Sequence, residues 1–151
     1  PLCRELGIGF VAYSPMAGGL LSGQYTAQQH YEGDDIRRVI SRYKPENVAA
    51  NQPVIDLVKE YARTKGCTPA QIALAWVMKQ EHIVPIPGMR SDARIKENLG
   101  AADILLTDEE YNTLTIALNK LKVYGNRTDE QIAELGELRT KLYGSSGVHK
   151  Q

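Results

Sequence analysis

Several features that mark nucleic-acid-binding and membrane proteins are missing from this sequence. The 151 residues carry 18 Lys and Arg against 18 Asp and Glu, so the formal net charge is zero. A protein that neutralises nucleic-acid phosphates usually carries a basic excess, which this chain lacks. No apolar run reaches the roughly 18 to 20 residues that a membrane-spanning helix needs. These absences predict a protein that binds neither nucleic acid nor membrane.

The chain is also poor in cysteine. Cys3 and Cys67 form no CxxC motif and supply no disulfide framework, which favours a reducing, cytoplasmic setting. Cys67 lies just before a helix start, where a thiolate would be favoured, although a purely structural role is the simpler interpretation. No spacing of His, Cys, Asp and Glu side chains is typical of a metal site.

Two segments have the composition of buried strands, which are Ile8–Met16 and Ile83–Ile86. The first is followed by a glycine-rich turn, Ala17–Gly23, and by a long polar connection. The opening residues, Pro1–Gly7, resemble the end of a helix with a glycine cap, so we expect a piece of a longer protein.

Helical patterns fill most of the remaining sequence. The Thr68–Gln71 and Thr107–Glu110 segments each predict a capping box at a helix start. Strands separated by helices predict a parallel α/β architecture, but two strands cannot complete such a sheet, so further strands are expected to be missing. The predicted helices cover Pro45–Lys65 with a restart at Pro53, Ala70–Gln80, Ser91–Ala101, Thr107–Leu121 and Thr128–Tyr143.

Four segments, in order along the chain, together resemble the C-terminal half of an aldo-keto reductase, a (β/α)8 TIM barrel that reduces carbonyl compounds with NADPH. The resemblance extends from Pro1 to about Leu121. The four segments are GIGFVAYSPMAGGLLSG from Gly7, DDIR and SRYKPENVAANQ between Asp34 and Gln52, GCTPAQIALAWV from Gly66, and IVPIPGMRSDARIKENLGAADILLT from Ile83.

The resemblance implies that Ile8–Met16 and Ile83–Ile86 are strands seven and eight of the barrel. Residues 1–121 would then be the C-terminal part of the barrel domain, residues 122–143 a helical extension and residues 144–151 a tail. The family's catalytic Asp, Tyr, Lys and His lie on earlier strands and loops, so no residue here is assigned a catalytic role. The implied partners are the N-terminal half of the barrel and, in the complete protein, a small carbonyl substrate.

The first group of candidate cofactor-binding residues follows strand seven. Glycine permits unusual backbone angles and close approach of the main chain to a phosphate, and barrel enzymes often bind phosphate in the loops after strands seven and eight. A simple structural turn is the alternative. By resemblance, the residues that wrap the pyrophosphate of NADP are Ser14, Pro15, Met16, Gly18, Gly19 and Leu20.

The second group lies at a helix start after strand eight. A helix N-terminus attracts anions, and an arginine there can pair with a phosphate. The resemblance implies that Arg94, with Arg90 or Ser91, binds the adenosine 2′-phosphate, while the nearby Asp92 opposes it. A solvated first-turn arginine is the alternative. The predicted residues are Gly88, Arg90, Ser91, Arg94, Glu97 and Asn98, and the last two would hold the adenine edge.

Three functions remain open at this point. The leading interpretation is the cofactor-binding part of an NADP-dependent oxidoreductase that reduces aldehydes or ketones by hydride transfer and is inactive alone because the catalytic residues are absent. The alternative is a non-catalytic aldo-keto-reductase-like interaction or regulatory subunit. A third possibility is a nucleotide-binding domain in its own right.

Overall fold

The structure, a computed structural model, describes residues 2–33 and 35–126. These residues fall into two compact units. The larger unit contains the residues up to Tyr25 together with Gln52–Lys122, and the smaller contains Thr26–Asn51 together with residues 123–126. The predicted helix Thr128–Tyr143, most of the predicted extension 122–143 and the tail 144–151 lie outside the described residues.

Within the described residues, a run of helices separates the two strands along the chain, and further helices follow the second strand. The part of the chain that the structure describes also contains short 3₁₀ helices at Ala17–Ser22, Ile36–Arg38, Ser41–Tyr43 and Gly100–Asp103. No helix within the described residues is both long enough and apolar enough to cross a membrane. The main elements are α1 (Leu2–Glu5), β1 (Phe10–Tyr13), α2 (Pro45–Ala50), α3 (Gln52–Lys65), α4 (Pro69–Met78), β2 (Ile83–Ile86), α5 (Asp92–Leu99) and α6 (Asp108–Asn119).

β1 and β2 lie side by side and parallel, as the sequence predicts. Their register pairs Phe10 with Ile83 and Tyr13 with Ile86. β1 is shorter than the predicted strand Ile8–Met16 because a ladder is only as long as its shorter partner, and β2 has four residues. Two parallel strands are the whole sheet within the described residues.

One face of this sheet is exposed and apolar. Side chains alternate between the two faces of a strand, and the half-buried Ala12, Ile83 and Pro85 belong to the face opposite. α4 packs against β2. The four side chains of the exposed face, with their exposed fractions, are Val11 (59%), Tyr13 (65%), Val84 (61%) and Ile86 (52%).

The core of the larger unit lies between α3, α4 and α6. α4 carries apolar residues on nearly every side, and its Ile72 and Leu74 are almost completely buried, as a helix of that composition predicts. The central cluster consists of Val58, Ala62, Ile72, Ala75, Leu106 and Leu114.

Both predicted capping boxes are present. Thr68 Oγ1 accepts a hydrogen bond from the backbone N–H of Gln71 at 3.2 Å, and Gln71 Oε1 accepts from the backbone N–H of Thr68 at 3.0 Å. Thr107 and Glu110 make the same reciprocal pair at the start of α6. Each box satisfies backbone donors that the first helical turn leaves without partners.

The predicted restart of the helix near Pro53 is confirmed. α2 ends at Ala50 and α3 begins at Gln52, so Pro53 lies in the first turn of α3, where its missing N–H costs nothing. Asn51, between the two helices, belongs to the smaller unit and is 1% exposed. Its Nδ2 donates to the carbonyl of Tyr124 and its Oδ1 accepts from the backbone N–H of Tyr124, both at 2.9 Å.

We expect Asn51→Ala to destabilise the smaller unit by about 1–3 kcal/mol, because a buried pair of hydrogen bonds to the main chain is lost together. Chemical denaturation followed by circular dichroism measures this change. Asn112→Ala, at an exposed position of α6, is the control and should change stability by no more than about 0.5 kcal/mol. Equal effects of the two substitutions would show that the Asn51 hydrogen bonds contribute nothing.

Candidate functional site

The two groups of predicted site residues lie at the same edge of the sheet. β1 and β2 are parallel, so the turn that follows β1 and the segment that follows β2 leave from neighbouring carboxyl ends. The two segments are joined by a hydrogen bond of 2.5 Å from Nη2 of Arg94, on α5, to Oε1 of Gln24, after the 3₁₀ helix Ala17–Ser22. The structure therefore brings together groups that are 70 residues apart in sequence.

The backbone of the turn after β1 is strained. Ser14 and Ala17 have positive φ angles of 48° and 50°, although neither is glycine. Gly18 and Gly19 follow with φ of 68° and 104°. A non-glycine residue in such a conformation costs on the order of 1–3 kcal/mol, and residues of this kind cluster at ligand sites. The strain favours a functional turn over an ordinary connection.

Neighbouring side chains hold this turn in place. A Cβ atom on Gly19 would lie 2.7 Å from Cε2 of Tyr25, so the tyrosine ring rests directly on the glycine. Ser22 Oγ donates a hydrogen bond to the carbonyl of Gly19 at 2.6 Å. Leu20 is 4% exposed, so it belongs to the core and offers almost no surface to a ligand. The other predicted residues of this turn are exposed (Ser14, Gly18) or half-buried (Pro15, Met16, Gly19).

The segment after β2 presents a helix N-terminus. Ser91 Oγ accepts from the backbone N–H of Arg94 at 3.4 Å and so caps α5, while Ser91, Arg90 and Gly88 are all exposed. A Cβ on Gly88 would meet nothing within 4 Å, which leaves open space above this part of the main chain. Nη1 of Arg94 also donates to Oε2 of Glu97 at 2.9 Å.

In the segment after β2, Asn98 has a buried polar atom without a hydrogen-bond partner among the described residues. It is 5% exposed, and its Nδ2 donates to the carbonyl of Gly88 at 3.2 Å. Its Oδ1 is buried and accepts no hydrogen bond within the described part of the chain. Buried polar atoms are nearly always paired, so this oxygen is suited to receive a donor from a ligand.

Sequence reasoning missed Gln24 and Tyr25. Neither residue belongs to a recognisable motif, and both follow Gly23, whose φ of 69° ends the 3₁₀ helix. The only local signal was that glycine, which marks where the chain changes direction. Their roles depend on contacts with Arg94 and Gly19, which the folded structure alone reveals.

A cavity of about 1070 Å³ lies elsewhere, at the amino ends of the strands. Gly9 and His82 are among its lining residues, and the Lys79–Asp108 ion pair of 2.8 Å borders it. None of the predicted site residues lines it. In barrel enzymes this end of the strands serves stability, whereas ligands bind at the carboxyl ends.

The reactive-thiol interpretation of Cys67 is not supported. Burial raises the pKa of the Cys67 thiol, and the opposing effect of Lys65 is smaller. A raised pKa means less thiolate at neutral pH and therefore lower nucleophilicity. Cys67 instead packs at the border of the central core cluster. Among the described residues, no group of three His, Cys, Asp or Glu side chains could hold a metal ion.

Comparison with known proteins places the chain in a family. The model of the aldo/keto reductase family matches residues 1–119. A relative, the aldo-keto reductase str7 of Strobilurus tenacellus, is 36% identical over 125 residues, which are 82% of this chain and 37% of that protein. A solved structure, the thermostable aldo-keto reductase Tm1743 in complex with the inhibitor epalrestat, has a TM-score of 0.50 and 25% identity over 77% of this chain and 32% of its own.

The chain belongs to the aldo/keto reductase family. Its mixed α/β architecture, with parallel strands, agrees with the TIM-barrel fold of that family. The chain spans about a third of the length of the relatives that it matches.

Proposed function

We propose that this chain is the C-terminal, cofactor-binding part of an NADP-dependent aldo-keto reductase, with β1 and β2 as barrel strands seven and eight. Residues 1–121 are then the barrel part of the chain, followed by an extension over 122–143 and a tail over 144–151. The family match over 1–119 and the apolar sheet face at Val11, Tyr13, Val84 and Ile86 support this proposal. In a closed barrel that face is covered by side chains of the other strands.

The observation that carries the proposal is the meeting of the strained turn after β1 with the N-terminus of α5. The residues there fit an NADP molecule. Asn98, whose buried Oδ1 accepts no hydrogen bond within the described residues, would hold the adenine edge. Arg94 binds the adenosine 2′-phosphate, and the glycine turn allows the main chain to approach the pyrophosphate.

When it is bound, NADPH supplies the hydride that reduces the carbonyl carbon of an aldehyde or ketone. The residues of this chain bind and orient the cofactor, while the acid that protonates the carbonyl oxygen belongs to the N-terminal part of the barrel. The isolated chain therefore binds nucleotide without reducing a substrate. Reduction of small carbonyl compounds with NADPH by the complete barrel is an activity expected of a cytoplasmic enzyme of small-molecule metabolism.

We expect the isolated chain to bind adenosine 2′,5′-bisphosphate, the part of NADP that these residues contact, in a saturable isothermal titration. Adenosine 5′-monophosphate, which lacks the 2′-phosphate, should bind more weakly. Oxidation of NADPH in the presence of an aldehyde, followed by absorbance, should not exceed the rate without protein. If the chain binds neither nucleotide, the proposed cofactor-binding function is wrong. If the chain reduces the aldehyde, the proposal that it lacks the catalytic residues is wrong.

A further inference from the structure

Gln24 occupies a position between the two halves of the proposed cofactor site. It directly follows Gly23 at the end of the 3₁₀ helix, and its backbone N–H donates to Ser22 Oγ at 3.4 Å. Its side chain is exposed but is held by Nη2 of Arg94, which donates to Oε1 at 2.5 Å. Gln24 therefore contacts the arginine that is proposed to bind the phosphate.

The chemistry of the contact fixes the orientation of the Gln24 amide. An arginine offers only donors, so the amide oxygen must face the guanidinium and the NH₂ group must face away. Arg94 therefore makes no hydrogen bond to the two N–H donors of Gln24. On the other side of the guanidinium, Glu97 Oε2 accepts from Nη1 at 2.9 Å. Arg94 is thus held at two of its N–H groups by acceptors on both sides.

We infer that Gln24 is a specificity-determining residue for the 2′-phosphate. Through Oε1 it orients Arg94, and through its NH₂ group it adds neutral donors to the same anion. This inference rests on the proposed NADP function. A neutral donor suits this position because a phosphate monoester carries a charge of about −1.5 to −2 at neutral pH, and an acidic side chain there would repel it.

Two substitutions separate the two roles of Gln24. Gln24→Glu keeps an acceptor for Arg94 but replaces the N–H donors with a negative charge. Gln24→Ala removes both the acceptor and the donors. The matched control is Gln80→Glu, the same isosteric change at the other end of the strands, where Gln80 Nε2 donates to the hydroxyl of Tyr111 at 3.0 Å. Circular dichroism checks that each variant is folded.

We expect Gln24→Glu to weaken binding of adenosine 2′,5′-bisphosphate about tenfold or more, since a hydrogen bond to a charged group is lost and repulsion is added. Binding of adenosine 5′-monophosphate should be unchanged. Gln24→Ala should lower the preference for the bisphosphate less than Gln24→Glu does, because it adds no repulsion. Gln80→Glu should leave both affinities as they are in the unsubstituted chain.

The outcomes distinguish failure of this inference from failure of the proposed function. If the unsubstituted chain does not prefer the bisphosphate to the monophosphate, the proposed NADP function fails and the inference fails with it. If that preference exists but Gln24→Glu leaves it unchanged, only the inference is overturned. Equal weakening of both nucleotides would also overturn it, because Gln24 would then support the turn or the adenine rather than select the phosphate.

Discussion

Replacing Arg94 with alanine is expected to weaken NADPH binding roughly 10- to 150-fold, because a hydrogen bond to a charged group is worth about 1.5–3 kcal/mol. NADH has no 2′-phosphate and should lose little affinity. The preference for NADPH should also shrink with added salt, since Arg94 is partly exposed and salt screens such a charge. Fluorescence titration of the chain with both cofactors, at low and high salt, measures the effect.

The control for Arg94→Ala is Arg63→Ala, an arginine on the exposed side of α3 and outside the proposed site. It should leave both cofactor affinities unchanged. Equal losses of NADPH and NADH on Arg94→Ala would mean that the residue supports the adenine or the helix instead of the phosphate. If the affinity for both cofactors is unchanged, Arg94 has a structural role only, in which it links Gln24 and Glu97.

The second large effect concerns the core of the larger unit. Leu114 on α6 is 1% exposed and lies in the central cluster between α3, α4 and α6. Leu114→Ala should lower the free energy of unfolding by about 2–5 kcal/mol, since it removes buried apolar surface and leaves a cavity. Denaturant unfolding curves that are analysed with a common slope give this difference.

Leu105→Ala provides the matched control for Leu114→Ala. The Leu105 side chain is 81% exposed, and its backbone carbonyl, which accepts from Lys65 Nζ at 3.0 Å, is retained in the variant. A surface substitution of this kind changes stability by no more than about 0.5 kcal/mol. If the two leucine substitutions cost the same, the packing of α6 against α3 and α4 would have to be different from that described.

Local signals in the sequence predicted the helix starts well. The capping boxes at Thr68 and Thr107 depend on partners three residues away, so the sequence contains the whole interaction. The restart near Pro53 was predictable for the same reason, because a proline excludes a continuous helix there. Parallel pairing of the two strands was also predictable, since helices separate them.

Features that depend on distant partners could not be predicted. β1 was expected to extend from Ile8 to Met16, but its length is set by β2, 73 residues further along (83 − 10). The positive φ angles of Ser14 and Ala17 have no signature in residue type, since both residues usually avoid that conformation. The contact between Gln24 and Arg94 likewise depends on the pairing of the two strands.

That separation between the strands also has an entropic consequence for the chain. The ladder begins where Phe10 pairs with Ile83, which closes a loop of about 73 residues. By simple polymer scaling, closure of such a loop costs about 4 kcal/mol of chain entropy, but each doubling of its length adds only about 0.6 kcal/mol. The loops of this connection, outside the turn after β1 and the helices α2, α3 and α4, can therefore gain or lose residues at little entropic cost.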